Sequence, residues 1–434
     1  MPIRPGTIDL PPSVLQGNPI LARAARNVST RQSLEAPQEG CAYTEWSNSI
    51  HYSDSGGHVY FDAHTNVISS DRSPQQPRQW VLISPLSARC NLACAYCYRG
   101  TEHSEQANPL LMDDETAETL IRDALAHYSE VSFIWHGGEP LLAGREFYER
   151  SLATQRKYAA EGQVFENLIQ TNGTLLDHEW ASFLKQHDFG VGLSVDGPAG
   201  IHNQHRPYAN GSGSFARVEA AVRLLTEYDL DFGALAVVSK LSLGHAREIY
   251  DFLSGICAHF DFLPYGGHQI RNQSSLALDP ADYGEFMSDL FDIWVQDPKG
   301  DIEVRLLANV VEMIIGGPPT LCSHSANCEH YVSVEANGDV YPCGRFSNVA
   351  EMKLGNVRES SLAQMLARPE HDLFNEMNLA ARTDCSLCEW FACCNADCAA
   401  HRYDVEAGPH RSYFCESHRS LFEHVAEYVE ASLQ

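Results

Sequence analysis

The sequence predicts an α/β protein in which a partial (β/α)6 barrel is followed by a smaller, cysteine-rich domain. From Trp80 to Asp279, short apolar runs alternate with stretches of helical periodicity, which favours βαβ units and a parallel sheet. Six such units are fewer than the eight of a closed barrel. After Gly316-Gly-Pro-Pro319 the composition changes, and residues 322–415 contain nine cysteines. Two folded parts with different architectures are therefore expected.

The elements follow from this pattern in chain order. Residues 1–80 are rich in Pro, Ser, Asn and Gln, with one strand-like stretch at 58–62, and predict an irregular N-terminal extension. The predicted strands of the barrel (81–279) are Val81–Ser84, Val131–Trp135, Leu168–Thr171, Val191–Val195, Phe232–Val238 and Phe260–Leu263. The predicted helices are Asp114–His127, Glu146–Ala160, Phe215–Tyr228, Asp282–Trp294, Val304–Ile315 and Ser417–Ser432. A helical linker is expected over 280–319, and the cysteine-rich domain with its C-terminal helix over 320–434.

Composition excludes several classes of function. The 434 residues carry a net charge of −27, which argues against nucleic acid, because phosphate binding depends on clustered Lys and Arg. No apolar run reaches the length of a membrane span, and the N-terminus lacks the apolar core of a signal peptide. A cytoplasmic protein with no membrane association is expected. In a reducing compartment, closely spaced cysteines favour metal ligands over disulfides.

Eleven of the fourteen cysteines fall into three spaced groups, leaving Cys41, Cys257 and Cys393. The first group, Cys90-Asn-Leu-Ala-Cys94-Ala-Tyr-Cys97, follows the first predicted strand of the barrel. Three thiolates in one loop can hold a [4Fe–4S] cluster and leave its fourth iron open to a small chelating molecule. The alternative is a structural zinc site, which normally has four ligands and would need one thiolate from elsewhere.

This loop resembles the CxxxCxΦC signature of the radical S-adenosylmethionine (SAM) superfamily, with Tyr96 as the aromatic residue. The resemblance implies that SAM chelates the open iron through its amino and carboxylate groups. It further implies that one electron from the cluster cleaves the sulfonium and releases a 5′-deoxyadenosyl radical. The cofactor would then carry the difficult chemistry, while the protein positions and shields it.

Motifs at the ends of later strands extend the resemblance. His136-Gly-Gly-Glu-Pro140 resembles the GGEP motif of that family, and its glycines would let the backbone approach a ligand closely. By the same resemblance Ser194 and Arg206 would hold the cofactor carboxylate, which suits an Arg fork. Asn172 and Asp196 are candidates near the ribose or substrate, or simple turn caps. The implied cofactor-binding residues are Tyr96, Gly137, Gly138, Glu139, Pro140, Asn172, Ser194, Asp196 and Arg206.

The second and third cysteine groups resemble the SPASM domain, which binds two auxiliary [4Fe–4S] clusters; a pair of zinc ribbons is the alternative. The resemblance implies interleaved ligands: Cys322, Cys328, Cys343 and Cys398 for one cluster, and Cys385, Cys388, Cys394 and Cys415 for the other. Cys393 could replace Cys394, although the spacing favours Cys394. Full ligation by thiolates leaves no open iron and indicates electron transfer. Three clusters in total are expected.

Enzymes of this kind modify ribosomally made peptides or proteins, and a nearby cluster can accept the electron that a substrate radical loses. Short segments around Trp135 and His205 resemble maturases that build aromatic cyclophanes. The resulting prediction is a peptide maturase that abstracts hydrogen and forms an intramolecular cyclophane or thioether crosslink, with His136 and His268 as candidate catalytic residues. An external electron donor such as flavodoxin or ferredoxin is expected. The alternatives are a formylglycine-generating sulfatase maturase and a non-catalytic iron–sulfur protein that binds peptides or senses redox state.

Overall fold

We analysed a computed structural model of the chain. It describes residues 10, 14, 18–35, 49–54, 57–62, 67–72, 76–99, 111–266, 275–325, 328–347, 349–368, 371, 374, 383–404, 408–409 and 411–433. Side chains are described for most of these residues, but not for 30–35 or 49–78. His268 and Cys41, both named above, lie outside the described residues.

Fifteen strands and fourteen helices are present in the described parts of the chain. The strands are β1 Ser49–Asp54, β2 Gly57–Asp62, β3 Val67–Arg72, β4 Gln76–Ser84, β5 Tyr128–Trp135, β6 Val164–Thr171, β7 Phe189–Ser194, β8 Phe232–Val238, β9 His259–Pro264, β10 Glu303–Val304, β11 Tyr331–Glu335, β12 Asp339–Tyr341, β13 Gly355–Asn356, β14 Tyr403–Asp404 and β15 Gly408–Pro409. The helices are α1 Pro19–Glu35, α2 Asp114–His127, α3 Arg145–Tyr158, α4 His178–Gln186, α5 Ala199–His205, α6 Phe215–Glu227, α7 Ala246–Ile256, α8 Pro280–Val295, α9 Arg305–Ile314, α10 Cys322–Ser325, α11 Leu362–Leu366, α12 Phe391–Cys394, α13 Ala399–Arg402 and α14 Cys415–Ser432.

The main sheet confirms the predicted α/β fold with its parallel strands. Strands β4 to β9 pair in sequence order, each parallel to the next. All six predicted strands are present with bounds close to those expected. Strand side chains such as Val81, Ile83, Val131 and Phe133 are fully buried, and each such side chain contributes about 1.5–3 kcal/mol on leaving water. In this arrangement the loops that follow the strands lie together at the C-terminal edge of the sheet.

The cysteine-rich domain continues the same sheet. Strand β11 pairs in parallel with β4, from Tyr331 opposite Trp80 to Glu335 opposite Ser84. Strands β12 and β13 then add antiparallel. The start of the second domain is therefore joined by backbone hydrogen bonds to the strand that precedes the first cysteine loop. At the other edge, β10 pairs with β9, so part of the expected helical linker is a strand of the sheet.

The N-terminal part is more regular than the sequence predicts. Strands β1, β2 and β3 form a three-stranded antiparallel sheet, of which only the middle strand is predicted. Helix α1 is likewise not predicted. It is anchored by Arg23 Nη2, which donates to the Ile302 carbonyl at 2.9 Å, and by Asn27 Nδ2, which donates to Glu312 Oε1 at 2.7 Å. The helix also buries Leu21 and Val28 in the main hydrophobic core, so apolar packing and polar contacts together fix it against the body of the protein.

The C-terminal helix α14 packs along α8. The ring of Phe291 makes edge contacts with His424 and Tyr428, and Ser417 Oγ donates to the Pro280 carbonyl. Helix α14 begins at Cys415, so this packing also positions a predicted cluster ligand. Among the described residues, no helix is both long and apolar enough to cross a membrane.

Candidate iron–sulfur and cofactor site

The first cysteine group lies on the loop that leaves β4 at the C-terminal edge of the sheet. This loop is held by the segment that follows α5. Ala93 N donates to the Pro207 carbonyl at 2.8 Å, and Ala95 N donates to the His205 carbonyl at 2.9 Å. These two hydrogen bonds hold the backbone of the cysteine loop in place within the protein itself.

The Gly-Gly turn after β5 supports the same loop from the other side. Gly138 N donates to the Ser87 carbonyl and Glu139 N to the Arg89 carbonyl, both at 2.9 Å. A Cβ added to Gly138 would lie 1.9 Å from the Arg89 oxygen, and one added to Gly137 would lie 2.8 Å from the Ser87 oxygen. Gly137 also has φ +112°, which side-chain-bearing residues rarely adopt. The glycines are needed because the cysteine loop passes directly against the turn.

The three thiols interact electrostatically with one another. Burial raises the pKa of Cys90 to about 12, with smaller upward contributions from Glu139, Cys94 and Cys97. Burial also raises the pKa of Cys94 to about 11. Buried thiolates need a cation close by, and iron supplies that charge. A set of three close thiols with no fourth cysteine nearby in their loop fits a cluster that has one open iron.

Glu139 links three elements. Its Oε1 accepts hydrogen bonds from Thr171 Oγ1 at 2.7 Å and Leu141 N at 3.0 Å, and its Oε2 accepts from Asn172 N at 2.8 Å. The side chain is fully buried, and burial raises its pKa to about 7. Both oxygens are used within the protein, so Glu139 braces β5 against the end of β6. Pro140, which follows it, is also buried.

Asp196 and Arg206 form a buried, two-pronged ion pair. Arg206 Nε donates to Asp196 Oδ2 and Nη2 to Oδ1, each at 2.9 Å. Tyr96 Oη also donates to Asp196, and Val237 N donates to Oδ1 at 2.8 Å. The positive charge of Arg206 lowers the pKa of Cys94, against the larger opposing effect of burial. The Arg206 guanidinium, which was expected to bind a cofactor carboxylate, is therefore paired with Asp196 close to the cysteine loop. Its third nitrogen, Nη1, takes no part in that ion pair.

The remaining cofactor candidates lie at the ends of β6 and β7. Ser194 Oγ accepts a hydrogen bond from Gln170 Nε2 at 3.0 Å. Asn172 Nδ2 donates to Asn91 Oδ1 at 2.9 Å and lies 3.7 Å from Cys90 Sγ. Asn172 therefore contacts the cysteine loop itself. The structure thus brings residues from four strand ends around the first cysteine group.

His136 stands at the end of β5, beside the start of the second domain. Its Nε2 has no hydrogen-bond partner among the described residues, and burial followed by the charge of Arg99 lowers its pKa to about 3. A Cβ added to Gly344 would lie 3.0 Å from His136 Cε1, so a glycine at that position leaves the imidazole room. Arg99 itself forms a buried ion pair with Glu335 at 2.6 Å. This junction of the two domains is not visible in the sequence, because 236 residues separate that pair.

The other cysteines gather into two groups of four. Cys328 interacts electrostatically with Cys322, Cys343 and Cys398. In the second group, Cys394 interacts with Cys385, Cys388 and Cys415. Burial is the largest cause of the raised pKa in both Cys328 and Cys394. These are the two interleaved sets that the resemblance implies, and four thiols in each suit a fully ligated [4Fe–4S] cluster.

Cys393 is separate from both groups. It is 1% exposed and packs in the main hydrophobic core. Its pKa is raised to about 12 by burial alone, with no charged neighbour contributing. The neighbouring Cys394, by contrast, interacts electrostatically with the other three thiols of its set. The structure therefore favours Cys394 as the ligand and gives Cys393 a packing role.

Comparisons with known proteins agree with this architecture. A family model of the Radical SAM superfamily matches residues 84–253, and a model of the SPASM iron–sulfur cluster-binding domain matches residues 326–395. The serine-type anaerobic sulfatase-maturating enzyme of Bacteroides thetaiotaomicron is 31% identical over 379 residues, which cover 81% of this chain and 90% of the relative. The cysteine-type enzyme of Clostridium perfringens is 32% identical over 355 residues, or 79% of this chain and 95% of the relative.

Solved structures also show similarity to a protein that binds AdoMet. The native anSMEcpe protein with bound AdoMet is 30% identical, with a TM-score of 0.75, over 82% of this chain and 99% of its own. The same protein with bound AdoMet and the Cp18Cys peptide has the same TM-score and coverage. SuiB of Streptococcus suis, bound to S-adenosylmethionine, has a TM-score of 0.55 at 18% identity, which shows likeness of fold alone.

The fold, the three-cysteine loop and the two sets of four cysteines define a radical SAM enzyme with a C-terminal SPASM domain. Its cofactors are S-adenosylmethionine and [4Fe–4S] clusters. Within that class, the chain belongs to the family of the anaerobic sulfatase-maturating enzymes.

Proposed function

We propose that this enzyme converts a cysteine or serine of a peptide or protein substrate to formylglycine. The observation that carries the proposal is similarity to serine-type and cysteine-type sulfatase maturases along 90% and 95% of those relatives. The likeness to cyclophane-forming enzymes is confined to short segments and is weaker support. The crosslinking function expected first is therefore replaced by its alternative. Because the chain is similar to both serine-type and cysteine-type enzymes, an experiment must determine which residue is the target.

The ligand assignments are part of the proposal. Cys90, Cys94 and Cys97 would hold the SAM-binding cluster, and the two sets of four cysteines would hold the auxiliary clusters. When bound, SAM and the clusters supply the hydrogen-abstracting radical and the route by which an electron leaves. An external one-electron donor such as flavodoxin or ferredoxin is needed to start each turnover. The pairing of Tyr96 and Arg206 with Asp196 would keep the wall of the cofactor site rigid.

His136 is proposed as the residue that takes a proton from the substrate. Loss of a hydrogen atom, an electron and a proton converts the CH2–OH group of serine to an aldehyde and the CH2–SH group of cysteine to a thioaldehyde. Water then hydrolyses the thioaldehyde to the aldehyde and releases hydrogen sulfide. In both cases a base must take the proton. Burial, followed by the charge of Arg99, lowers the pKa of His136 to about 3, so the ring is neutral at ordinary pH but is a weak base. Substrate binding must raise that pKa for the ring to take the proton. Its Nε2 has no partner among the described residues, and the missing side chain at Gly344 leaves space beside the ring.

The substrate proposal is tested with paired peptides that differ only in having cysteine or serine at the target position. The Cp18Cys peptide, which is bound to a solved relative, provides a further probe. Each is incubated anaerobically with enzyme, SAM and reductant, and the product is treated with a hydrazide that captures aldehydes. A captured carbonyl supports the proposal. A product that lacks two hydrogens and carries no carbonyl would instead indicate a crosslink.

The role of His136 is tested by separating SAM cleavage from product formation. His136→Phe should still cleave SAM but form product about 10²–10⁴-fold more slowly, the usual contribution of a general base. His136→Gln keeps a hydrogen-bonding group without a basic nitrogen and should remain slow. His178→Gln, a substitution at a mostly exposed histidine, is the matched control. Unchanged product formation in His136→Phe would remove His136 from the mechanism.

A further inference from the structure

A buried group of two histidines and one aspartate lies among the SPASM cysteines. His324 follows Cys322 by two residues, Asp397 precedes Cys398, and His418 lies on the first turn of α14. We refer to His324, Asp397 and His418 as the His–Asp triad. The three side chains are 0%, 3% and 6% exposed. One ligand atom from each lies within 4.8 Å of those from the other two.

The triad has polar atoms without hydrogen-bond partners, and ligand atoms of its three residues lie close together. Both ring nitrogens of His324 and Oδ1 of Asp397 have no hydrogen-bond partner among the described residues. His418 Nε2 makes no regular hydrogen bond, although it lies 3.1 Å from Asp397 Oδ2. A buried polar atom without a partner costs about 1–3 kcal/mol. Several such atoms close together favour a bound ion that interacts with all of them.

The position of the Asp397 carboxylate is enforced by strained backbone. Asn395, Ala396 and Asp397 have φ of +46°, +70° and +65°, a left-handed conformation that costs of order 1–3 kcal/mol per residue without glycine. The Asp397 carboxylate at the end of this turn is buried, and its charge acts on Cys394 and Cys415 of one cysteine set. Strain of this kind is characteristic of functional sites.

Neighbouring groups orient the carboxylate through one oxygen only. Oδ2 accepts hydrogen bonds from Ser412 Oγ at 2.6 Å and His401 Nδ1 at 2.9 Å. His401 Nε2 is in turn 3.0 Å from Arg345 Nη1. Hydrogen-bonded outer partners of this kind are typical of carboxylates that ligate metals. Oδ1 is left for a further ligand.

We propose that the His–Asp triad binds one zinc ion through His324, Asp397 and His418. Two imidazoles and a carboxylate form an N/O donor set suited to Zn²⁺, and zinc bonds of about 2.0–2.1 Å place neighbouring ligand atoms about 3.3 Å apart. His418 Nε2 lies 3.1 Å from Asp397 Oδ2, so the imidazole reaches this carboxylate, whose unpartnered Oδ1 would be the zinc ligand. The ion would satisfy the unpaired atoms and balance the buried carboxylate. This site contains no cysteine and is independent of the substrate that the enzyme oxidises.

The test is metal analysis of the full-length enzyme, reconstituted anaerobically with iron and sulfide, supplied with zinc and freed of loosely bound metal. The wild type should hold one zinc per chain in addition to its iron. His324→Gln and Asp397→Asn should lose the zinc and keep the iron. His371→Gln, a substitution at a buried histidine outside the triad, should keep both. Wild type without zinc, or zinc that persists in the triad variants, would overturn the proposal.

X-ray absorption at the zinc edge keeps the test decisive if the triad variants also lose iron. Measured on the wild type, the spectrum should show nitrogen and oxygen neighbours and no sulfur. Sulfur in the first shell would place the zinc on cluster cysteines and refute the triad site.

Discussion

Substitution of Gly138 by alanine should selectively remove the first cluster. The new Cβ would lie 1.9 Å from the carbonyl oxygen of Arg89 and 2.4 Å from its carbon. An ordinary contact needs about 3.5 Å, so the Arg89 peptide must move by about 1.5 Å. That shift would break the hydrogen bond from Glu139 N and displace Cys90, the next residue in the loop.

The cost follows from the same geometry. Overpacking of a tight site costs about 1–3 kcal/mol, and the lost backbone hydrogen bond adds about 1 kcal/mol. The free energy of unfolding should therefore fall by about 2–4 kcal/mol. Since each cluster contains four irons, bound iron should fall from about twelve to about eight per chain, while the SPASM clusters remain. SAM cleavage should be lost.

Urea unfolding, iron analysis and 5′-deoxyadenosine assays measure these three effects. Gly255→Ala is the control, because Gly255 lies in helix α7 and a Cβ there meets no atom within 4 Å. That substitution should be neutral or stabilising by up to about 1 kcal/mol. A Gly138→Ala enzyme with full iron content, unchanged stability and normal SAM cleavage would refute the argument.

Three further predictions concern residues around the clusters. Cys394→Ala should lose about four irons, whereas Cys393→Ala should keep all of them and lose only packing stability; equal iron loss in both variants would contradict the assignment. Asp196→Asn leaves Arg206 buried without its anion and should cost about 3–5 kcal/mol in urea unfolding, and a change below about 0.5 kcal/mol would count against the buried pair. Glu139, with its pKa raised to about 7 by burial, favours folding when protonated, so it should lower stability by up to about 3 kcal/mol as pH rises from about 4.5 to 7. Glu139→Gln should flatten that dependence, and an unchanged slope would show that the carboxyl does not titrate there.

Local patterns predicted the barrel well, because each strand and helix is encoded in consecutive residues. Strand β8 matches its predicted bounds, and helix α2 begins where expected because Asp113 caps it by accepting from Thr116 N. Helix α1 was missed because Pro19–Glu35 is polar, with only a weak apolar face. Its stability depends on contacts with residues about 280 positions away.

The two cysteine sets were predicted from the resemblance of their order to the SPASM domain, which spacing alone would not have given, since a pair of zinc ribbons was the alternative. The contacts that the neighbouring side chains make were not predicted from the sequence. The pairing of Arg206 with Asp196 was not expected, and the predicted contact of Arg206 with a cofactor carboxylate stays a prediction. The Arg99–Glu335 ion pair and the contact between His136 and Gly344 depend on β11 joining β4, a pairing that no local pattern indicates.

The most direct test of the proposed function is transfer of a substrate hydrogen. A target peptide with deuterium on the β-carbon of its cysteine or serine is incubated anaerobically with enzyme, SAM and reductant, and 5′-deoxyadenosine is analysed by mass spectrometry, with Cys90→Ala as the control. Deuterium in 5′-deoxyadenosine, together with an aldehyde in the peptide, is the result expected of a formylglycine-forming maturase. Unlabelled 5′-deoxyadenosine formed without an aldehyde, on both the cysteine and the serine peptide, would contradict it.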